Sequence, residues 1–387
     1  MRLTQLHTLL YAVYATAAEP QEIRRSQKEL DEKWGNDWGF SGIATFAHLP
    51  HTRCLQDPEQ EFDIAILGAP FDTAVTYRPG ARFGPRAIRA GSQRMTAFRG
   101  YNARANLNPF TAWAKVIDCG DIPISPFDNA LALRQMTEAF TDLSHSKAPQ
   151  DNRASSIKYR NRPKLLTLGG DHSIALPTLR ALHSIYGGVA VVHFDAHLDT
   201  WHPAKYPSAW IDQDDPTQQS FFTHGTMFWL AHNESLILKD KSVHAGLRTR
   251  LTSIEDNEED TAQGWLRITT DDIDDYGAVG IAKQIMSQVG DAPVYLSLDI
   301  DVIDPGLAPA TGTPEPGGWS TREVIRILRL IEDLNVVGAD VVEVSPGYDG
   351  QGEVTSLAAA QIAFEILTSM VKKGIAAKTV EGAKDEL

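Results

Sequence analysis

Seven short apolar runs, separated by helical patterns and polar segments, constrain the fold of this chain more than any other feature. They cover residues 63–68, 114–120, 164–170, 189–195, 242–248, 293–299 and 336–344. Several are apolar on both faces, as the strands of a parallel sheet covered by helices must be. Amphipathic helical patterns follow Asp128 and a capping box formed by Ser320 and Glu323. This order predicts one α/β domain with three α/β/α layers and a mostly parallel central sheet.

Composition and charge limit the partners of the chain. Its 387 residues, 42% of them hydrophobic, can bury a large core. The net charge is -14 and no basic stripe with interleaved aromatic residues is present, so we predict no nucleic-acid partner. An acidic protein attracts cations, which permits a cationic substrate without requiring one. Beyond the N-terminus no segment approaches a membrane span, so we predict no membrane partner either.

The two ends of the chain suggest a cellular location. Residues 1–18 resemble a secretory signal peptide, with Arg2 ahead of an apolar stretch and small residues at 15–18, although an amphipathic terminal helix fits equally well. The last four residues, 384–387, read KDEL, which is an endoplasmic-reticulum retrieval signal or an ordinary charged tail. Together they predict the secretory pathway, in the endoplasmic-reticulum lumen, with the cytoplasm as the alternative.

We predict four segments along the chain. They are a signal peptide at 1–18, an N-terminal arm at 19–40, a single main domain at 41–375 and a tail at 376–387. Cys54 and Cys119 form no metal-binding spacing, so they are either two free thiols or one disulfide.

Three charged clusters lie where predicted strands end: "GGDHS" at 169–173, "DAHLD" at 195–199 and "DID" at 299–301. In open α/β sheets, ligands bind outside the carboxyl ends of the strands. The first cluster could also be a turn with a helix cap, and the third an ordinary loop end. In "DAHLD", an extended backbone points the three charged side chains the same way, where they repel unless a cation lies between them. His193 is predicted to face the opposite side, as a packed or supporting histidine.

The clusters together supply a mixed set of carboxylates and imidazoles. Four aspartates balance the charge of two divalent cations and overcharge a single one. The predicted ligands are His172, Asp195, His197, Asp199, Asp299 and Asp301. Such ligands suit manganese better than a thiolate-binding ion. Two ions can share a bridging water, lower its pKa and present hydroxide as a nucleophile, so the set predicts a hydrolase.

The three clusters, in this order and with "SLDIDVIDPGLAPATGTPEPGG" at 297–318, resemble the signatures of the ureohydrolases, the arginase and agmatinase family. The resemblance covers roughly residues 60–370. It implies an arginase-like fold, two manganese ions per subunit, and a homo-oligomer, either a trimer or a hexamer. It places one ion on His172, Asp195, Asp199 and Asp299, and the other on His197, Asp195, Asp299 and Asp301. Asp195 and Asp299 would bridge the ions.

The resemblance also implies a reaction, the cleavage of a guanidino compound to urea and an amine by hydroxide attack on the guanidinium carbon. Glu343 matches the carboxylate that holds the guanidinium, although a strand-end acid that caps a loop is the structural alternative. His224 matches the residue that protonates the departing amine. Thr313 matches a residue that orients the intermediate. The three residues are the catalytic candidates.

The substrate is a finer question. "GAPFDTAVTYRPGARFGPRAIR" at 68–89 resembles the agmatinase branch, which favours agmatine as substrate and putrescine as product. The loop at 200–223 leaves this open: its acids at 212, 214 and 215 could attract the ammonium of agmatine or could simply be solvated. Guanidinobutyrate or another guanidino acid would need a cation in that loop, where Lys205 is the only one.

Three other classes of protein compete with this hypothesis. The hypothesis of a dinuclear metallophosphatase does not explain the second Asp-x-Asp pair. The sequence also has no "GNH" segment to supply the amide ligand of that class. Zinc deacetylases of the same layered fold need fewer acidic ligands. A non-catalytic relative that binds polyamines or protein partners should have lost ligands, and here all six are present. We therefore predict an enzyme that acts on a small cationic guanidino substrate.

Overall fold

The computed structural model describes residues 26–35, 37–149, 162–205 and 221–385, with side chains as far as residue 375. The predicted signal peptide, the last two residues of the KDEL sequence and most of the loop after Lys205 lie outside these residues. The chain divides into two units, Met1–Trp38 and Gly39–Leu387. In the first unit, helix α1 (Gln27–Trp34) begins at a capping box of Ser26 and Glu29. It falls within the predicted arm.

The described part of the second unit contains one sheet of eight strands. The strands are β1 (Ile64–Ala69), β2 (Val116–Asp121), β3 (Lys164–Gly169), β4 (Ala190–Phe194), β5 (Ser242–Leu247), β6 (Trp265–Thr269), β7 (Pro293–Asp299) and β8 (Asn335–Val342). Their order is β2-β1-β3-β8-β7-β4-β5-β6, and every neighbouring pair is parallel. All seven predicted strands are present, and the predicted parallel sheet is confirmed.

Strand β6 is the element that the sequence pattern misses. It has five residues, it forms the edge of the sheet beside β5, and only its first and fourth residues are buried. Its sequence, WLRIT, is too short and too mixed in polarity to show a period of its own. The pairing with β5 defines it as a strand, and that contact is not visible in the local sequence.

Helices cover both faces of the sheet. In the described part of the second unit they are α2 (Gly84–Gly91), α3 (Asn129–His145), α4 (Ala175–Tyr186), α5 (Met227–Asn233), α6 (Ile254–Ala262), α7 (Asp272–Val289), α8 (Thr321–Leu330) and α9 (Val354–Asp385). Helices α3, α4 and α5 share one apolar core with the sheet, and α2, α7, α8 and α9 share another. Because alternate strand residues point to opposite faces, every strand except β5 contributes apolar side chains to both cores. The predicted three-layer α/β/α class is therefore confirmed.

Both predicted helix starts are present. The Asp128 carboxylate accepts a hydrogen bond from the Leu131 amide at 3.0 Å and caps α3. Ser320 and Glu323 form both bonds of a capping box at the start of α8. Helix α8 ends at Leu330, although the apolar pattern continues to Leu334, because residues 331–334 turn directly into β8.

Helix α9 corrects the expectation about membrane spans. Residues 354–375 of this helix are long and apolar enough to cross a membrane by length and composition, so the expectation that no segment approaches a span is wrong on those criteria. In the structure, 72% of the apolar window is buried inside the protein. This part of α9 is therefore a core helix. Its backbone stays helical to Asp385, through most of the predicted tail.

A disulfide joins Cys54 and Cys119, with their Cα atoms 5.2 Å apart. It connects the short 3-10 turn Cys54–Gln56 to the edge strand β2, and both cysteines are buried. Of the two alternatives that the sequence leaves open, the structure contains the disulfide.

Candidate active site and metal centre

The site lies at the carboxyl ends of four adjacent strands in the middle of the sheet. Strands β3, β8, β7 and β4 are neighbours in that order. The segments that follow them carry the predicted clusters at 171–172, 195–199 and 299–301, together with Glu343. Because all the strands are parallel, these segments meet at one edge of the sheet, as predicted. The structure brings all six predicted ligands together there.

The first ligand group surrounds His172. Its Nδ1 lies 3.0 Å from an oxygen of Asp195, 3.2 Å from one of Asp199 and 3.4 Å from one of Asp299. This nitrogen is buried, and within the described part of the chain it forms no hydrogen bond. An imidazole lone pair that faces three carboxylates fits a divalent cation among them.

The second ligand group surrounds His197. Its Nδ1 lies 3.0 Å from Oδ2 of Asp301 and 3.1 Å from Oδ1 of Asp195. The other Asp195 oxygen, Oδ2, faces His172. Asp195 therefore presents one oxygen to each group. Asp299 differs, because its Oδ2 faces His172 while its Oδ1 accepts a hydrogen bond from the Asp301 amide at 2.7 Å.

The backbone at 195–199 is turned rather than extended, which corrects the sequence-based explanation of this cluster. Strand β4 ends at Phe194. The His197 amide then donates a hydrogen bond to Oδ1 of Asp195 at 2.6 Å. Asp199 has a φ of 56°, in the left-handed region that non-glycine residues rarely adopt. The three side chains do converge, but a local turn and one left-handed residue bring them together.

His193 corrects a second expectation. It is fully buried, and its Nε2 lies 2.9 Å from Oδ2 of Asp195, on the same side of the chain rather than the opposite one. Residues two apart on a strand share a face, which is the physical reason. Its Nδ1 lies 2.7 Å from Nδ1 of His244. Burial lowers the pKa of His193 to about 3, so the ring is a neutral, supporting histidine.

Two of the carboxylates, Asp299 and Asp301, indicate that the site needs positive charge. Burial, and then the charges of Asp301 and Asp195, raise the pKa of Asp299 well above its usual range. Burial and the charge of Asp195 raise the pKa of Asp301 to about 6. Acids packed this closely resist ionisation unless cations compensate for them. The donor set therefore fits bound divalent metal.

Glu343 lies beside the ligands at the end of β8, with a φ of 62°. Its Oε1 accepts hydrogen bonds from the His172 amide at 2.8 Å and from Nδ1 of His224 at 3.1 Å. Its Oε2 is buried and has no hydrogen-bond partner among the described residues. Gly312 leaves the space open, since a Cβ there would lie 3.3 Å from that oxygen. A buried carboxylate oxygen that receives no hydrogen bond from the protein can accept a hydrogen bond from a cationic ligand.

His224 is held between Glu343 and Thr76. Its Nε2 accepts a hydrogen bond from the Thr76 amide at 3.0 Å and lies 2.9 Å from the Thr76 hydroxyl. Burial would lower the pKa of His224, but the hydrogen bond to Glu343 and the charge of that residue outweigh burial and raise it. With the Thr76 amide donating to Nε2, the ring is neutral in this structure and carries its proton on Nδ1. The raised pKa means that His224 gains a second proton more readily than an ordinary histidine.

Comparison with known proteins gives the same picture. The family model described as "Arginase family" matches residues 62–368. A relative from Schizosaccharomyces pombe, provisionally named agmatinase 1, is 47% identical over 335 residues, which are 86% of this chain and 83% of the relative. A guanidinobutyrase from Pseudomonas aeruginosa is 37% identical over 85% of this chain and 92% of its own length. The solved structure of proclavaminate amidino hydrolase from Streptomyces clavuligerus superposes with a TM-score of 0.73 at 36% identity, over 87% of this chain and all of that one.

The chain belongs to the arginase family. The predicted resemblance and the arginase-like fold are both confirmed. The predicted enzyme class is confirmed as well, since the named relatives are hydrolases of this family.

Several residues of this arginase-family site are not among the predicted ones. Ser297 lies 2.7 Å from Nε2 of His172 and donates to Asp340. Its place two residues before Asp299, on the same face of β7, is a signal that could have found it. Glu315 lies 3.8 Å from Nε2 of His197, within a motif that carries the family resemblance. No local pattern marks Asp340, because its contact depends on the pairing of β7 with β8.

Thr313 lies beside a predicted ligand, and Lys205 lies beside two acids of α6. The Thr313 hydroxyl is 3.3 Å from Oδ2 of Asp301, so it contacts a predicted ligand. Lys205 lies 3.3 Å from both Asp256 and Glu259, two acids of α6. It is therefore already paired and is a poor candidate for binding a substrate carboxylate. The three loop acids at 212–215 lie outside the described residues.

Proposed function

We propose that the chain is a dinuclear manganese hydrolase that cleaves a guanidino compound, with agmatine as the first candidate, to urea and an amine. One observation carries the proposal: Asp195 presents one oxygen to each of two ligand groups, beside a buried oxygen of Glu343 that has no partner among the described residues. A cationic, flat guanidinium satisfies that oxygen while its carbon faces the ligand groups.

The residues present fit two divalent ions. His172 and Asp199 would hold one ion, His197 and Asp301 the other, with Asp195 and Asp299 between them. Carboxylate and imidazole ligands suit manganese. When bound, such an ion pair supplies activated water as a nucleophile at neutral pH, which the poorly electrophilic guanidinium carbon requires.

The chain's own residues would bind the substrate and move the proton. Glu343 would hold the guanidinium through Oε2, since its Oε1 is fixed by two hydrogen bonds. His224 would give a proton to the departing amine, and its raised pKa keeps the required protonated form available. Thr313 would orient the intermediate from its position beside Asp301.

Agmatine is supported by the relative named for agmatinase activity. It would release putrescine along with urea.

A guanidino acid is the second candidate substrate, and Arg78 favours it. The Arg78 guanidinium carbon lies 5.3 Å from the ring centre of Tyr77 and 5.1 Å from that of Tyr348. Its backbone oxygen lies 3.0 Å from the position of a Cβ at Gly312, next to Glu343. In the described segments no carboxylate lies within ion-pair distance of it. Arg78 is therefore a candidate partner for a substrate that ends in a carboxylate, because its backbone lies beside Gly312 and its guanidinium has no carboxylate partner among the described residues. The similarity to a guanidinobutyrase agrees with this candidate.

The test is urea release by the manganese-loaded protein from agmatine, arginine, guanidinobutyrate and guanidinopropionate. We expect the highest kcat/KM with agmatine and little change in the Arg78→Met variant. A guanidino acid as the best substrate, with kcat/KM lowered about tenfold by Arg78→Met, would favour the second candidate. No urea from any of the four would contradict both and favour a non-catalytic relative that binds polyamines or protein partners.

We further propose that the protein resides in the secretory lumen. The Cys54–Cys119 disulfide supports this, because such bonds persist in oxidising compartments. Microscopy of the tagged chain with and without its last four residues tests the location. Retention in the endoplasmic reticulum that depends on those residues is expected, and an unchanged cytosolic distribution would contradict it.

A further inference from the structure

A continuous line of buried polar side chains leads away from Asp195 to helix α6. From Asp195, His193 Nε2 is 2.9 Å away, His193 Nδ1 is 2.7 Å from His244 Nδ1, and His244 Nε2 is 3.1 Å from Oδ1 of Asp260. All four residues have no exposed surface. Because a carboxylate at each end only accepts hydrogen bonds, the ring nitrogens that face Asp195 and Asp260 are donors. The contact between the two Nδ1 atoms is then a hydrogen bond when one of the two rings carries a proton on both nitrogens.

Asp260 also reaches the second part of the site. Its Oδ1 accepts a hydrogen bond from the Thr200 hydroxyl at 2.7 Å. Thr200 directly follows Asp199, the predicted ligand with the left-handed backbone. One turn of chain beyond Asp260, Gln263 donates to the Thr200 carbonyl at 3.0 Å. These two bonds fix the backbone directly after Asp199, whose left-handed conformation is unfavourable for a residue with a Cβ.

The line is held rigidly from outside. Arg267 donates to the other Asp260 oxygen at 2.9 Å. The Trp265 ring stacks on His244 with a centroid distance of 4.0 Å and an interplanar angle of 15°. Phe228 meets His193 edge-on, with centroids 4.8 Å apart. These contacts fix the orientation of both imidazoles.

Packing alone does not explain this arrangement. A buried acid and two buried imidazoles are costly, and apolar residues of the same volume often stabilise a fold as well or better. A fully hydrogen-bonded buried network does, however, fix the side chains at its ends in one geometry. Here the ends are Asp195 and the backbone beside Asp199.

We propose that Asp260 is a positioning residue for the metal centre, holding Asp195 through His244 and His193, and Asp199 through Thr200. The inference rests on the proposed function only in that the centre binds metal. Asp260 lies on α6 and makes no contact with the ligand atoms themselves. It acts through two separate arms that can be cut one at a time.

The experiment measures manganese binding by the purified, metal-free chain, with electron paramagnetic resonance of free Mn²⁺ as the readout. His244→Phe cuts the arm to Asp195, Thr200→Val cuts the arm to Asp199, and Asp260→Ala cuts both. The matched control is Asp256→Ala, another buried acid on α6, which bonds to the Thr252 amide and Lys205 and reaches neither arm. Circular dichroism melts of the metal-free proteins check folding.

We expect Asp260→Ala to weaken manganese binding about 10- to 100-fold, as loss of residues that support metal ligands commonly does. Thr200→Val should weaken the binding of one manganese ion, and His244→Phe should weaken the binding of both. Asp256→Ala should bind manganese with the affinity of the unaltered chain. With saturating manganese, KM for the substrate should stay unchanged in all four variants.

Unaltered manganese affinity in Asp260→Ala, or an equal loss in Asp256→Ala, would overturn the proposal. If Asp260→Ala does not fold, unaltered affinity in both single-arm variants overturns it instead. A chain that binds manganese but releases no urea contradicts the proposed reaction. The role of Asp260 can still be tested in that case, because the readout is manganese binding. A chain that binds no manganese contradicts both.

Discussion

Asp195 is the residue on which the account depends most. Its two oxygens face different histidines, and a third histidine, His193, donates to it from behind. If each oxygen of Asp195 binds a different metal ion, a neutral side chain at this position removes negative charge from both ion sites. The geometry agrees with the bridging role that the family resemblance implies.

Asp195→Asn should therefore abolish urea release and lower bound manganese by more than the 10- to 100-fold change typical of supporting residues. Metal content after gel filtration, measured by plasma mass spectrometry, checks this. Asp256→Asn is the matched buried control. Two manganese ions and full turnover in Asp195→Asn would contradict the assignment.

His224 should give the pH profile its falling limb. The pKa of His224 lies above the ordinary value of 6.5. The protonated ring therefore persists to higher pH than in an ordinary histidine, and it is lost as the pH rises through the raised pKa. A general acid contributes about 10²- to 10⁴-fold to the rate. His224→Gln should lower kcat by that amount and remove the falling limb from the plot of kcat against pH. A profile that keeps the limb would show that another group donates the proton.

At the residue scale, the position of the three clusters after predicted strands predicted that the six candidate ligands meet, while Glu343, His224 and Thr313 came from the family resemblance. The three clusters follow parallel strands, and such strand ends meet at one edge of the sheet. The left-handed backbone of Asp199 was not predictable, because nothing in "DAHLD" requires it. His244 and Asp260 were missed because they contact the site only through residues that lie far away in sequence.

At the scale of elements, apolar runs on both faces predicted the central strands well. The strands β3, β5 and β7 begin at the predicted residues, since buried parallel strands need apolar side chains throughout. The edge strand β6 and the early end of α8 depend on neighbours instead. Edge strands are paired on one side only, so their sequences are less constrained.

The disulfide between the Cys54 turn and strand β2 should contribute measurably to stability. It spans 65 residues, and a cross-link of that length is worth about 4 kcal/mol through the unfolded chain. The paired change Cys54→Ala and Cys119→Ala should lower the free energy of unfolding by that order, measured by guanidinium titration of the metal-loaded protein. Equal unfolding midpoints for both proteins would show that the bond adds nothing.

At the scale of the whole molecule, the centre of the sheet holds the proposed active site, and α6 lies at one side of it. Strands β3, β8, β7 and β4 provide the candidate ligands and Glu343, while the α6–β6 region provides Asp260 and its partners. The candidate ligands meet because the strands that carry them are neighbours in the sheet. The predicted trimer or hexamer stays a prediction, because a single chain carries no contact that tests it.

The most direct test of the central claim is urea release from agmatine, guanidinobutyrate and the other guanidino compounds while metal-free protein is titrated with Mn²⁺. The account predicts no urea without metal, with activity that rises to a plateau at two manganese ions per chain. Full activity in the metal-free protein, a plateau at one ion, or no urea from any substrate at two ions per chain would contradict it.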